Sequence, residues 1–184
     1  MTLRNRLPHV GVLLVVCALV VVLVTPRSGF GSLHRSPEAA LLDALGPGGW
    51  LLSGSEVQLL QLLETPEGRV AVYTDAAGHF GTADAKPRHG RWFAHGIFGL
   101  GPLRGRDCWQ VPTSGTTVTV AAGRLGRNTA SVVVIDQHGN PVVARRSRGI
   151  WAAAIVQGSF QHMLALDATG RVLIDEPIDD CGWP

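Results

Sequence analysis

Three Asp-x-x-Gly corners constrain this chain more than anything else in it. They run from Asp75 to Gly78 in "VAVYTDAAGHFGTA", from Asp136 to Gly139 in "VVVIDQHGNPVVAR" and from Asp167 to Gly170 in "LALDATGRVLIDEP". An Asp at the first position of a type I turn accepts hydrogen bonds from the backbone N–H groups ahead of it. A Gly at the fourth position takes the positive φ that closes a bulged hairpin. Each corner therefore asks for a strand on either side. A calcium loop would need several oxygen ligands around one ion. Here the aspartates are followed by Ala-Ala, Gln-His and Ala-Thr, so Asp75, Gly78, Asp136, Gly139, Asp167 and Gly170 are expected to be structural turns.

The runs between the corners agree. "TTVTVAA" alternates, with Val118 and Val120 on one face and Thr117 and Thr119 on the other, the pattern of a half-buried strand. "EVQLLQLLE" also fits helical spacing through Val57, Leu60 and Leu63, but "TPEG" turns it straight into the β-branched run "RVAVYTD", which indicates a hairpin. About nine or ten short strands follow one helix in "SPEAALLDALGPGG". Ser36 is its N-cap, Pro37 its first residue, Glu38 complements the dipole and Gly46-Pro47 ends it, with Leu41, Leu42 and Leu45 on the buried side. The expected fold is mainly β: an antiparallel β-sandwich with one short N-terminal helix. An immunoglobulin-like arrangement is one option for its second half, from Thr116 to Glu176.

The first residues set the location. Arg4 and Arg6 precede an uncharged apolar run from Val10 to Val24, close to the ~20 helical residues that cross a bilayer. The expected organisation is a cytoplasmic tip (1–9), a transmembrane signal anchor (10–25), a Gly/Ser/Arg-rich linker (26–36) and an extracytoplasmic β-rich domain (37–184) with a sub-division near 105–115 as an option. The flanking charges favour a cytoplasmic N-terminus; secretion after signal cleavage is the alternative, although "LVTPRSGFGS" has no clean A-x-A site. Cys108 and Cys181 are the two cysteines beyond the apolar run, and an even pair in an exported domain reads as a disulfide.

Templates for chemistry are sparse. Sixteen basic against fourteen acidic residues, spread along the chain, give no footprint for nucleic acid. His79, His89 and His95 lack the spacing of a zinc site, and no cofactor or phosphate loop is visible. A dispersed Ser159, His162 and Asp167 set is the only hydrolase arrangement worth testing. Arg88, Arg91, Trp92, Phe93 and Phe98 form the best candidate binding surface, because Arg and aromatic residues dominate interface energetics.

"EVQLLQLLETPEGRVAVYTDAAGHFGTADAKPRHGRWFAHG", with its Tyr-Thr-Asp corner and Gly-x-Trp strand, resembles segments of an uncharacterised group of small exported, membrane-anchored β-domain proteins of Gram-positive bacteria. "TVTVAAGRLGRNTASVVVIDQHGNPVVARRSRGIWAAAI" is similar to β-modules of the same kind. The resemblance implies fold and location and carries over no functional residue. The expected function is a non-enzymatic binding or interaction module at the cell envelope, meeting the lipid bilayer through its N-terminal helix and an envelope protein or glycan through its domain. A small envelope hydrolase and the ectodomain of a sensory partner complex are the alternatives.

Overall fold

The structure is a computed structural model that describes residues 32–46, 49, 56–103, 105–113, 115–178 and 181. The expected tip, membrane segment and linker as far as residue 31 lie outside the described residues. Among the described residues no helix is long and apolar enough to cross a membrane.

The described chain is one helix, α1 (Pro37–Leu45), and twelve strands in three antiparallel sheets. Sheet 1 is a meander of β1 (Val57–Thr65), β2 (Gly68–Asp75), β3 (His79–Arg88) and β4 (Arg91–Pro102). Sheet 2 has the order β5 (Arg106–Thr113), β6 (Thr116–Arg124), β10 (Ile150–Val156), β9 (Arg145–Ser147). Sheet 3 has the order β12 (Val172–Pro177), β11 (Phe160–Leu166), β7 (Ser131–Asp136), β8 (Pro141–Val143).

The turns explain this division. Gly78, Gly139 and Gly170 have φ of 83°, 81° and 83°, and each N–H donates to the carbonyl of the Asp three residues before it. Asp136 Oδ1 accepts from the N–H groups of His138 and Asn140, both at 2.8 Å. Asp167 Oδ1 accepts from those of Thr169 at 2.8 Å and Arg171 at 3.0 Å. Two further hairpins turn on His89-Gly90 and Arg148-Gly149, where both residues have positive φ, the type I′ signature.

The layers stack as α1, sheet 1, sheet 2, sheet 3. Ala40, Leu41 and Leu45 of α1 pack on Ala71, Tyr73, Ala83 and Ala85 of sheet 1. Full burial of each leucine contributes roughly 1.5–3 kcal/mol. Leu42, expected inside, is 43% exposed, because the buried stripe runs through Ala40, Leu41, Ala44 and Leu45 and leaves Leu42 to one side. Val70, Val72 and Phe80 on the other face of sheet 1 meet Val118, Val120, Ala122, Ala152 and Ala154 of sheet 2. Ala121, Trp151 and Ala153 then face Val132, Val134, Phe160, Met163 and Ala165 of sheet 3.

Sheet 2 is thus covered on both sides. Thr119, expected on a solvated face, is fully buried, and its hydroxyl donates to the Gly158 carbonyl instead of to water. The same double covering accounts for the run of small residues Ala152, Ala153 and Ala154: neighbours approach from above and below, and alanine leaves room for both. In β1 a bulge between Leu59 and Gln61 lets Val57, Leu59 and Leu62 serve the helix side and Leu60 and Leu63 the sheet 2 side. That is why its apolar pattern mimics a helix. The Gln61 amide then bonds the backbone of Ala154 at 3.0 and 3.1 Å, tying sheet 1 to β10. Within the segment near 105–115, Arg106–Thr113 is β5, an edge strand of sheet 2.

Candidate functional site

Sheets 2 and 3 face each other, and their edges β5 and β12 do not pair. Two links tie that side of the structure: the Cys108–Cys181 disulfide and an Arg106–Glu176 ion pair. Beside them opens a cleft of about 590 Å³. Ile178 is half-buried on its apolar side, the core residues Ala121, Trp151 and Met163 stand just behind the surface, and Arg106 and Asp107 are exposed at its rim. This volume lies within the ~300–1,000 Å³ typical of small-ligand pockets.

Trp151 reaches the cleft because of what stands opposite it. Its register partner on β6 is Gly123, where an added Cβ would lie 2.7 Å from Nε1 and 2.9 Å from Cε2 of the indole. The glycine gives up its side chain so that the ring can lie across β6. The pair is an aromatic residue covering a strand glycine.

The surface expected at Arg88, Arg91, Trp92, Phe93 and Phe98 is divided. Arg88 and Arg91 pair with each other at the exposed ends of β3 and β4. Trp92 packs on the helix side of sheet 1, with its backbone bridged to His34 and the Arg69 guanidinium 5.9 Å from its ring. Register puts Phe93 and Phe98 on the other face, with Asp84. Phe93 lies edge-on to His95 at 6.2 Å, and Phe98 is 39% exposed. Strand alternation separates neighbours in sequence, so the five side chains present two small faces.

Several histidines are held by aspartates through Nδ1. His95 meets Asp84 Oδ2 at 3.1 Å, His79 meets Asp75 Oδ2 at 2.8 Å and His162 meets Asp175 Oδ1 at 2.8 Å. Burial pushes the Asp84 carboxyl up despite the opposing pull of His95, and its buried Oδ1 has no hydrogen-bond partner among the described residues. At Asp75 burial also acts upward, but hydrogen bonds from the His79 side chain and N–H prevail and hold the carboxyl below its usual range. His89 sits in the β3–β4 turn, and no three metal-ligating side chains gather among the described residues. Ser159, His162 and Asp167 are each engaged elsewhere: the serine with Gln137 at 3.0 Å, the histidine with Asp175, and the aspartate with its own corner.

Sequence patterning missed the cleft because its wall residues look like ordinary core. The available signal was Gly123, a glycine inside the strand "TTVTVAAGR", which marks a close approach. Asp84 had a similar one, since a lone carboxylate in "FGTADA" interrupts a buried β-run. No protein-family model, curated protein or solved structure matches the chain.

Proposed function

We propose that the protein is an extracytoplasmic β-domain, anchored in the cell membrane by residues 10–25, that acts as a non-enzymatic binding module at the cell envelope and takes its ligand in the cleft beside the disulfide. The observation that carries this reading is the cleft itself: a concavity beside the disulfide with the half-buried Ile178 on its apolar side, Trp151 and Met163 packed behind it, and a rim bearing charges of both signs. Such a site suits an apolar group on a ligand with polar ends, as an envelope peptide or a substituted glycan would present. A disulfide between the β5 edge and the segment after β12 fits an oxidising compartment.

The strand order supports an immunoglobulin-like reading of the second half. β5-β6-β10-β9 facing β12-β11-β7-β8 corresponds to A-B-E-D facing G-F-C-C′ of that sandwich. The aromatic residue and the disulfide differ from the antibody pattern: Trp151 stands on strand E, where antibody domains carry their Trp on C, and Cys108 stands on A, where they bridge B and F.

The test is a photo-crosslinking residue in place of Asp107 in the full chain, with one in place of Val143 on the far edge as control. A discrete adduct confined to the Asp107 position is expected. Adducts of equal yield at both positions, or at neither, refute the cleft reading. Protease applied to intact cells should remove the domain, and full protection refutes the topology.

The second reading, an envelope hydrolase, is favoured by the Asp84–His95 pair, in which a buried carboxylate fixes Nδ1 and leaves Nε2 for proton transfer. A serine-reactive activity probe that labels the wild-type domain, with labelling lost in His95→Ala, would favour this reading over the first.

A further inference from the structure

Basic residues that are scattered along the second half of the sequence are gathered by the fold. Arg124 ends β6, Arg127 lies in the β6–β7 connection, Arg145, Arg146 and Arg148 lie on β9 and the turn after it, and Arg171 closes the β11–β12 corner. Backbone bonds tie these segments into one end of the sheet 2–sheet 3 sandwich. Leu125 N–H donates to the Gly149 carbonyl at 2.8 Å and Ala130 N–H to the Leu166 carbonyl at 2.7 Å, while the Arg146 guanidinium donates to the Ala130 carbonyl. All six arginines are exposed. Arg148 pairs with Glu56, and the other five make no ion pair among the described residues. Across residues 125–130, 144–149 and 167–171 the only carboxylate is Asp167, whose Oδ1 is taken by the N–H groups of Thr169 and Arg171. This end therefore carries uncompensated positive charge.

We propose that the arginine end binds a linear phosphodiester polyanion of the envelope, such as an alditol-phosphate chain, through the charges of its backbone. None of the six arginines lines the cleft, so the site is separate from it. Of the proposed function it uses only the extracytoplasmic placement, which supplies an envelope polymer. A guanidinium presents a planar fork of N–H donors that matches the two unbridged oxygens of a phosphodiester. What stands between the arginines decides against other anions. Gly126, Asn128, Thr129, Gly149, Thr169 and Gly170 offer no aromatic ring and no large apolar side chain, Leu125 packs inward, and the exposed Val172 lies past Arg171 on β12. Single-stranded nucleic acid is held by stacking its bases on aromatic rings. A protein partner needs an apolar centre to bury. A bilayer is also disfavoured by position. The described chain begins at the opposite end of sheet 1, where His34 bridges Trp92, whereas Arg148 reaches Glu56 at the start of β1.

The experiment uses the purified full chain in a zwitterionic detergent and a fluorescently labelled glycerol-phosphate oligomer, read by anisotropy across a salt series. Wild-type affinity is expected to fall with salt with a log–log slope of about −3, for ~4 contacts at ~0.7 each. Arg127→Gln with Arg171→Gln should weaken binding by roughly 10–100-fold at ~50 mM salt and flatten the slope by about 1.4. Arg88→Gln with Arg91→Gln removes the same charge from the far end of β3 and β4 and should leave affinity and slope unchanged. Thermal melts establish that each variant is folded. No binding of the oligomer by the wild type, or an equal loss in the Arg88 and Arg91 variant, would overturn the proposal. So would tighter binding of charge-matched polyglutamate, of an oligonucleotide with the same number of phosphates, or of phosphatidylglycerol vesicles, each of which would give the end to a different partner. None of these outcomes bears on the cleft, which the Asp107 crosslink decides.

Discussion

Gly123→Ala tests the packing that shapes the cleft. The added methyl would stand 2.7, 2.9 and 3.0 Å from Nε1, Cε2 and Cζ2 of Trp151, too close for a rigid ring on a buried strand to accept without moving. The indole is packed against sheet 3, so shifting it disturbs those contacts even though the cleft lies beside it. Overpacking of this kind costs about 1–3 kcal/mol, or a fall in Tm of roughly 2–4 °C per kcal/mol for a domain of this size. Trp151→Leu alone loses indole burial and leaves space, at about 2–4 kcal/mol. In the double variant the methyl occupies the vacated volume. The combined cost should then be smaller than the sum of the single costs by about 1–3 kcal/mol. The assay is urea unfolding of the four proteins with the disulfide intact and with m compared across the set. Additivity within about 0.5 kcal/mol, or a neutral Gly123→Ala, would refute the account of Gly123 as the residue that seats Trp151.

Gly170→Ala should destabilise by about 1–2 kcal/mol through backbone conformation alone, since φ is 83° and no atom lies within 4 Å of the new methyl. Calcium should leave the melting temperature of the same protein unchanged, and a large rise would restore an ion-binding role for the corner. Removing the disulfide by Cys108→Ser and Cys181→Ser should cost about 4 kcal/mol by the chain-entropy account for a 73-residue separation, read by urea unfolding. Asp84→Asn should stabilise at neutral pH by on the order of 1 kcal/mol, because it removes the charge of a carboxyl that burial pushes up. The sign follows from the raised carboxyl: the folded state holds the proton more tightly, so wild-type stability falls as pH rises from about 3.8 through the higher folded-state pKa. The advantage of Asp84→Asn should therefore shrink in acid, and an advantage that grows as pH falls would contradict it.

Much of the fold can be read along the chain because its causes are local. Asp167 and Gly170 form their corner from side-chain bonds and a backbone angle that involve four or five consecutive residues. Ser36, Pro37 and Gly46 bound α1 in the same way, with Ser36 Oγ accepting from Ala39 N–H at 3.2 Å. The five residues from Arg88 to Phe98 show the limit of such reading. Their proximity in sequence suggested a shared surface, whereas alternation and the bulge at Asp84/Ala85 sent Trp92 to the helix and Phe93 to the opposite face.

The candidate site was the least visible part, since no local pattern states which sheet will cover a strand. Val118 and Thr119 alternate as a half-solvated strand would, yet both are buried once sheet 1 and sheet 3 close over sheet 2. The chain by itself determined turns, the helix, the β character and the cysteine pair, all set by dihedral preference and side-chain periodicity. Only tertiary structure decided that three sheets stack, that β5 and β12 stay apart, and that Gly123 yields its space to Trp151. Those outcomes depend on contacts between segments far apart in sequence, whose energies arise when the layers pack.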